Sequence, residues 1–441
     1  MKLRTRRVFL RDGAVAVLAL GLPPAFLSRA LLGASRGGAR RKTLVCVFQR
    51  GAVDGLSMVV PFGERQYFEA RRTIAVNAPG SGEESALDLD GFFGLHPSLS
   101  AVLPLYRRGD LAIVHAVGSS HPTRSHFEAQ DFMETGTPGD KRTRSGWLNR
   151  VLTASPCECE GRTLQDSTAH ATAHAIGQAG MGALESLRGV AVGGEMPVSL
   201  RGPAPAFAIP DLETFGVGGG RDLDLESTYA RLYREESGDV LASAADASFD
   251  AVRLLREADP LSYGPAAGVE YPAGDFGRSM RQIAQLIKAD VGLEVAFADV
   301  GGWDTHVGQG GARGQLANRL RTLGNALGAF HADLGDRIED VLLLTMSEFG
   351  RTVAENGSGG TDHGHANCML LFGGGVQGGR VHGEWPGLDP DQLWERRDLA
   401  VTTDFRAVLA EIVRGHLGTS DLEAVFPGFA GSRTRYEGLL G

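Results

Sequence analysis

Cysteine is scarce: 441 residues hold only four, Cys46, Cys157, Cys159 and Cys368. Cys46 and Cys368 fall inside apolar runs and read as buried thiols. Cys157-Glu158-Cys159 lacks the C-x₂₋₄-C spacing of a zinc site, although His170 and His174 follow it. That stretch reads as a surface insertion, with a metal site as the alternative. Other signatures are missing too. No G-x-S-x-G elbow marks a Ser–His–Asp hydrolase. No G-x-G-x-x-G follows the first apolar run and there is no P-loop, which excludes the common nucleotide cradles. No repeat of fixed period is visible.

Basic charge is also missing from most of the chain. Residues 1–42 hold ten Lys/Arg and one Asp, while the whole chain carries a formal charge of −9, so the remainder is near −18. A body this acidic excludes nucleic-acid binding and argues against anionic lipid surfaces. It disfavours highly anionic substrates unless a metal supplies local positive charge.

The basic N-terminus reads as an address. Arg6-Arg7, Phe9-Leu10 and Arg11 precede an apolar run at Ala14–Leu27 that Pro23-Pro24 interrupts. The run is shorter than the ~20 apolar residues of a spanning helix. Paired arginines before such a run predict a twin-arginine export signal over residues 1–42, including a basic linker, and a periplasmic or extracellular protein. The export machinery is then a partner. Membrane attachment would come only through a retained signal.

What is present is glycine, 62 residues dispersed through the chain, and a series of short apolar runs that end in glycine-rich polar loops. The runs at 43–48, 111–118, 293–300, 340–346 and 368–374 lack clean alternation. This suits strands covered on both faces, as in a parallel sheet. Helical spacing lies between them at 97–109, 276–292, 314–335 and 404–418, with Asp404 as N-cap and Gly292 and Gly418 as stops. Strand–helix alternation predicts an α/β fold with a mostly parallel central sheet flanked by helices. Residues 43–441 form one domain, with an irregular insertion or cap at about 150–275. Short strands at 189–192 and 206–209 and a helix at 239–259 fall in that insertion.

Ligands of open parallel sheets bind beyond the carboxyl ends of the strands. Four such loops and the approach to the last run carry Asp54, then Ser125 and His126, then Asp304 and His306, then Glu348, then Asp362, His363 and His365. These nitrogen and oxygen donors suit a divalent metal such as Zn²⁺ or Mn²⁺. Each has a plainer reading. Asp54 before Gly55 is also a turn signal. Glu348 is also an ion-pair partner for Arg351. Asp362 is also a residue that orients a ligating histidine. Of His363 and His365, at most one is expected to face the site, and His365 is preferred. Ser125 sits at a loop-to-helix junction, as a nucleophile activated by a metal or as a capping box with Glu128. Arg124 is placed to clamp an oxyanion, and His126 crowds the same corner.

Taken together, TRRVFLR, LVCVFQRGAVDGL, TRSHFEAQDFMETGTPG, GGWDTH and TMSEFGRTVAENGSGGTDHGHA resemble the bacterial family called domain of unknown function 1501. The resemblance implies an alkaline phosphatase/sulfatase-like fold, twin-arginine export, and metal-dependent hydrolysis of phosphate or sulfate esters, with small anionic esters as substrates. It implies Asp54, Asp304, His306 and a late histidine as metal ligands and Ser125 as nucleophile. Phe349 stands where the superfamily has a histidine and Glu348 where it has an aspartate. A catalytically degenerate, ligand- or partner-binding protein is therefore the alternative.

Overall fold

The computed structural model describes residues 41–80, 82–155, 187–215, 239–429 and 438–441. Most of the predicted export segment lies outside these residues, as do Cys157, Cys159, His170 and His174.

The apolar runs form strands. They are β1 (Thr43–Gln49), β5 (Leu111–Gly118), β8 (Val295–Val300), β9 (Val341–Met346) and β10 (Asn367–Gly373). β6 (Gly189–Val192), β7 (Ala206–Ile209), β11 (Val381–His382) and β12 (Thr403–Asp404) join them, while β2 (Val59–Val60), β3 (Leu87–Asp88) and β4 (Gly94–Leu95) make a small separate sheet. Among the described residues the large sheet has nine strands in the order β11-β5-β10-β9-β1-β8-β6-β7, with β12 also on β5. Every pairing is parallel except those of β10, which runs against both β5 and β9.

Both faces of this sheet are covered, which explains why the strands do not alternate with polar residues. Val45 and Val47 of β1 pack into one core, with Leu343, Leu370, Ile283 and Leu320. Leu44, Cys46 and Phe48 face the other, with Leu344, Leu371, Val408 and Trp147. Burying each large apolar side chain contributes about 1.5–3 kcal/mol. Burial also pushes the Cys46 and Cys368 thiols up, so both are inert neutral groups.

Eight helices matter here: α1 (Gly55–Met58), α2 (Leu103–Arg108), α3 (His126–Thr135), α4 (Trp147–Ala154), α5 (Asp239–Ala258), α6 (Asp275–Ala289), α7 (Gln315–Leu334) and α8 (Phe405–Gly415). Asp404 caps α8 by accepting from the Arg406 amide at 2.9 Å. The helix read at 97–109 is split into a 3₁₀ segment, Pro97–Val102, followed by α2. Pro104 has no N–H to continue the ladder there. α6 stops at Asp290, in the left-handed region at φ 55°, before Gly292 is reached. The stretch from about 150 to 275 does not stand wholly apart as a cap, because β6 and β7 continue the main sheet beyond β8. No described helix is long and apolar enough to cross a membrane.

The reversal of β10 decides where the site forms. The parallel strands deliver their carboxyl ends to one edge of the sheet. An antiparallel strand delivers its start to that same edge. The loops after β1, β5, β8 and β9 and the residues before β10 therefore meet.

Candidate metal centre

Three imidazoles and a carboxylate converge at that edge. His363 Nε2 lies 3.0 Å from His126 Nε2 and 2.9 Å from His306 Nε2. Asp304 Oδ1 lies 3.0 Å from His306 Nε2, 3.3 Å from His363 Nε2 and 3.5 Å from His126 Nε2. Asp304 and His363 thus belong to two triads, one completed by His126 and the other by His306.

The opposite ring nitrogens settle the tautomers. His126 Nδ1 lies 2.7 Å from Glu348 Oε1, His306 Nδ1 lies 2.9 Å from Asp362 Oδ1, and His363 Nδ1 lies 2.8 Å from the Arg124 carbonyl. A carbonyl or ionised carboxylate only accepts, so each Nδ1 carries the proton and donates. With the rings neutral, the Nε2 atoms of His126 and His306 each present a lone pair to His363 Nε2 and to Asp304. Arg351 relieves Asp304 on one side, donating from Nη2 at 2.6 Å. A cation held by one triad would relieve the rest, and the ligand atoms of His126, Asp304 and His363 lie close enough together to share one. Zn²⁺ with bonds of about 2.0–2.1 Å needs donors about 3.3 Å apart, and the separations within that triad, 3.0, 3.3 and 3.5 Å, bracket this spacing. Each imidazole is oriented through its other nitrogen, as ligating histidines are. The residues fit a divalent metal.

Electrostatics agree with the geometry. Burial alone would raise the Asp304 carboxyl, but Arg351, His306 and His126 hold it below the usual carboxylate range. Glu348, deeply buried, would also rise, yet hydrogen bonds from His126, Gln130 at 2.9 Å and the Gly51 amide at 2.8 Å hold it low. The hydrogen bond from His306, then that from Asn356, lowers Asp362. Both carboxylates stay ionised behind their imidazoles.

Arg351 builds the frame. Its fully buried guanidinium donates to the carbonyls of Ala52, Gly51, Trp303 and Thr361 as well as to Asp304. It thereby joins the loops after β1 and β8 to the approach to β10. Gly51, at φ 112°, lets the first of these loops pass close to Asp304, where a Cβ would lie 2.9 Å from the Asp304 amide nitrogen. Phe349 is buried with its ring against those of His126 and His363, at 4.9 and 5.1 Å, and walls the centre.

The structure brings together Asp304, His306, His363 and His126, with Glu348 and Asp362 directly behind them. It commits the Asp54, His365 and Arg124 side chains to other partners. Asp54 is fully buried and its carboxylate is paired with Arg71 at 2.6 and 3.0 Å, with Ser57 at 2.8 Å and with Gln309 at 2.6 Å. Arg71 occupies the place a cation would take. His365 is the wrong histidine of its pair. Residues two apart in an extended chain would point the same way, but a bend at His365 stacks its ring on Trp394 at 5.1 Å. Arg124 is committed to Asp398 at 2.7 and 3.0 Å and to Glu395 at 2.6 Å, so its guanidinium is already neutralised, and its carbonyl serves the centre instead. Ser125 is the exposed N-cap residue of α3, but its hydroxyl caps nothing; Thr123 takes Glu128 instead, at 2.8 Å. In the sequence Arg351 stands out only as a partner for Glu348, and no motif marks Arg71.

The family described as "Protein of unknown function (DUF1501)" matches residues 41–426, and the chain belongs to it. Two solved structures are distantly similar. One is a protein in the alkaline phosphatase superfamily from Vibrio parahaemolyticus, at 12% identity and TM-score 0.30, covering 78% of this chain and 62% of that one. The other is BT1596, a 2-O GAG sulfatase, at 11% identity and TM-score 0.26, covering 78% of this chain and 66% of that one. The chain therefore spans less than two thirds of the length of either. None of the curated proteins matches it.

Proposed function

We propose that this family member is a metal-dependent hydrolase of phosphate or sulfate esters. The observation that carries the reading is the convergence of the His126 and His306 Nε2 atoms on His363 Nε2 and on Asp304. His126, Asp304 and His363 hold the ion, with His306 beside them against His363 and Asp304. Glu348, Asp362 and the Arg124 carbonyl fix the rings. A divalent ion bound there would polarise an ester oxygen and lower the pKa of an adjacent hydroxyl. Ser125 is the nucleophile in this reading, since its exposed hydroxyl lies next in sequence to His126 and is free of a capping role. We further propose that residues 1–42 direct twin-arginine export, which a signal-peptide fusion to a reporter in cells lacking that route would test.

A second reading is favoured by two pairings: Arg124 is neutralised by Asp398 and Glu395, and Asp54 by Arg71. A protein that kept the metal and lost turnover would bind an anionic ligand or partner without hydrolysis. Metal analysis of the purified protein beside assays on aryl phosphates and aryl sulfates separates the two. The hydrolase reading expects bound metal and turnover, with Ser125→Ala abolishing turnover and leaving the metal. Metal without turnover on any ester supports the binder. Metal-free protein inert to every ester defeats the hydrolase and supports the binder.

A further inference from the structure

α3 carries three polar side chains four residues apart: His126, Gln130 and Glu134. Residues at that spacing lie along one side of a helix. Two groups from strand ends bridge them. Glu348, just beyond β9, accepts on one oxygen, Oε1, from His126 Nδ1 at 2.7 Å and from Gln130 Nε2 at 2.9 Å. Arg50, the first residue beyond β1, donates from Nη1 to Gln130 Oε1 at 3.2 Å and to Glu134 Oε1 at 2.9 Å.

The polarity of this row has one solution. A guanidinium only donates and an ionised carboxylate only accepts. Gln130 therefore turns its carbonyl to Arg50 and its amide nitrogen to Glu348; reversed, both contacts would repel. Arg50 is itself held in place. Its Nε donates to Asp299 Oδ2 at 2.8 Å, near the end of β8, and its guanidinium lies over the Phe48 ring at 4.6 Å. Glu134 is buried, and its other oxygen accepts from the Ser199 amide and hydroxyl at 2.9 and 3.0 Å, on the 3₁₀ turn Val198–Leu200. An unbroken row of hydrogen bonds thus runs from that turn to the ring of His126, and bonds in such a row polarise one another.

We propose that Gln130 is a positioning residue of the metal centre, oriented by Arg50 and acting on His126 through Glu348. The inference rests on the metal reading above and adds a residue to it. The test is zinc affinity of the full chain, by competition with a chromogenic chelator, with the visible spectrum of the cobalt-loaded protein recorded alongside. Gln130→Met keeps the side-chain length and the helix propensity and removes both hydrogen bonds. It is expected to weaken zinc binding by roughly 3–10-fold, less than the ~10–100-fold for a partner that touches the ligand itself, and to shift the cobalt bands. In a Glu348→Ala background the same substitution should change affinity by less than about twofold, because residues acting in one network are not additive. A role in packing α3 alone would give equal effects in both backgrounds. Gln130→Ala serves the same cycle should methionine disturb the fold, as circular dichroism reports. Parent affinity and parent spectrum in the Gln130 variant overturn this inference alone, as does a loss that persists in full without Glu348. A chain that cannot hold zinc at all overturns the metal reading beneath it.

Discussion

His306 and His363 meet Nε2 to Nε2 at 2.9 Å while each gives its Nδ1 proton to an oxygen behind it. In neutral rings two lone pairs at that distance repel, and a cation bound beside them would relieve the contact. His363→Ala should therefore lower zinc affinity by more than the roughly 10–100-fold that losing an orienting partner costs. His365→Ala, which removes a ring stacked on Trp394, should leave affinity within a factor of a few. Competition with a chromogenic chelator measures both. Equal losses in the two variants would contradict the assignment.

The oxygens behind the rings are testable in the same assay. Glu348→Gln keeps an acceptor for His126 but removes the charge, and Asp362→Asn does the same for His306. Each is expected to weaken zinc binding by about 10–100-fold without unfolding the protein. Far-ultraviolet circular dichroism should stay as in the parent.

Asp54 and Arg71 concern stability. Removing one partner of a fully buried ion pair leaves the other charge uncompensated and costs on the order of 3–5 kcal/mol. Asp54→Ala should lower the urea midpoint accordingly, and zinc content of the folded protein should persist. The pH dependence has a definite sign. Burial would raise the Asp54 carboxyl, but Arg71, Ser57 and Gln309 hold it below its ordinary value. Its contribution is therefore complete above the unfolded carboxyl range near 3.9 and is lost as pH falls toward the lower folded value.

A second acid-sensitive group acts at milder pH. Burial pushes His96, His115 and His416 down to about 4. The unfolded chain titrates these side chains near 6.5, so it binds more protons than the folded chain between the two values. Stability should be full above about pH 6.5, fall as pH drops toward 4, and level off with respect to these groups below it. Urea midpoints across that range measure the slope, and His115→Gln should flatten part of it.

The sheet was legible because its strands are apolar on both faces, and runs such as Leu111–Gly118 end at a glycine or polar loop. The common edge follows from the parallel-sheet rule, and Asp304, His306 and Glu348 come together there. The rest depended on contacts distant in sequence. Arg124 looks like an anion clamp until Glu395 and Asp398, some 270 residues later, are seen to hold it. Arg71, beside Arg72, belongs to no motif, yet it is fully buried against Asp54. The choice of His363 over His365 turned on a local bend and on the bridge between Arg351 and His363, neither of which periodicity encodes.

The reversed strand has one further consequence. The segment from Ser347 to Ala366 leaves the rim after β9 and returns to it before β10, and its two ends are stitched by Gly350 to His365, Thr352 to Asp362 and Gly364 to Gly350. Glu348, Asp362 and His363 consequently ride on one flap of chain that must detach as a whole. Amide exchange along it should proceed by a single cooperative opening, slowed throughout when the flap is pinned by a ligand at its tips.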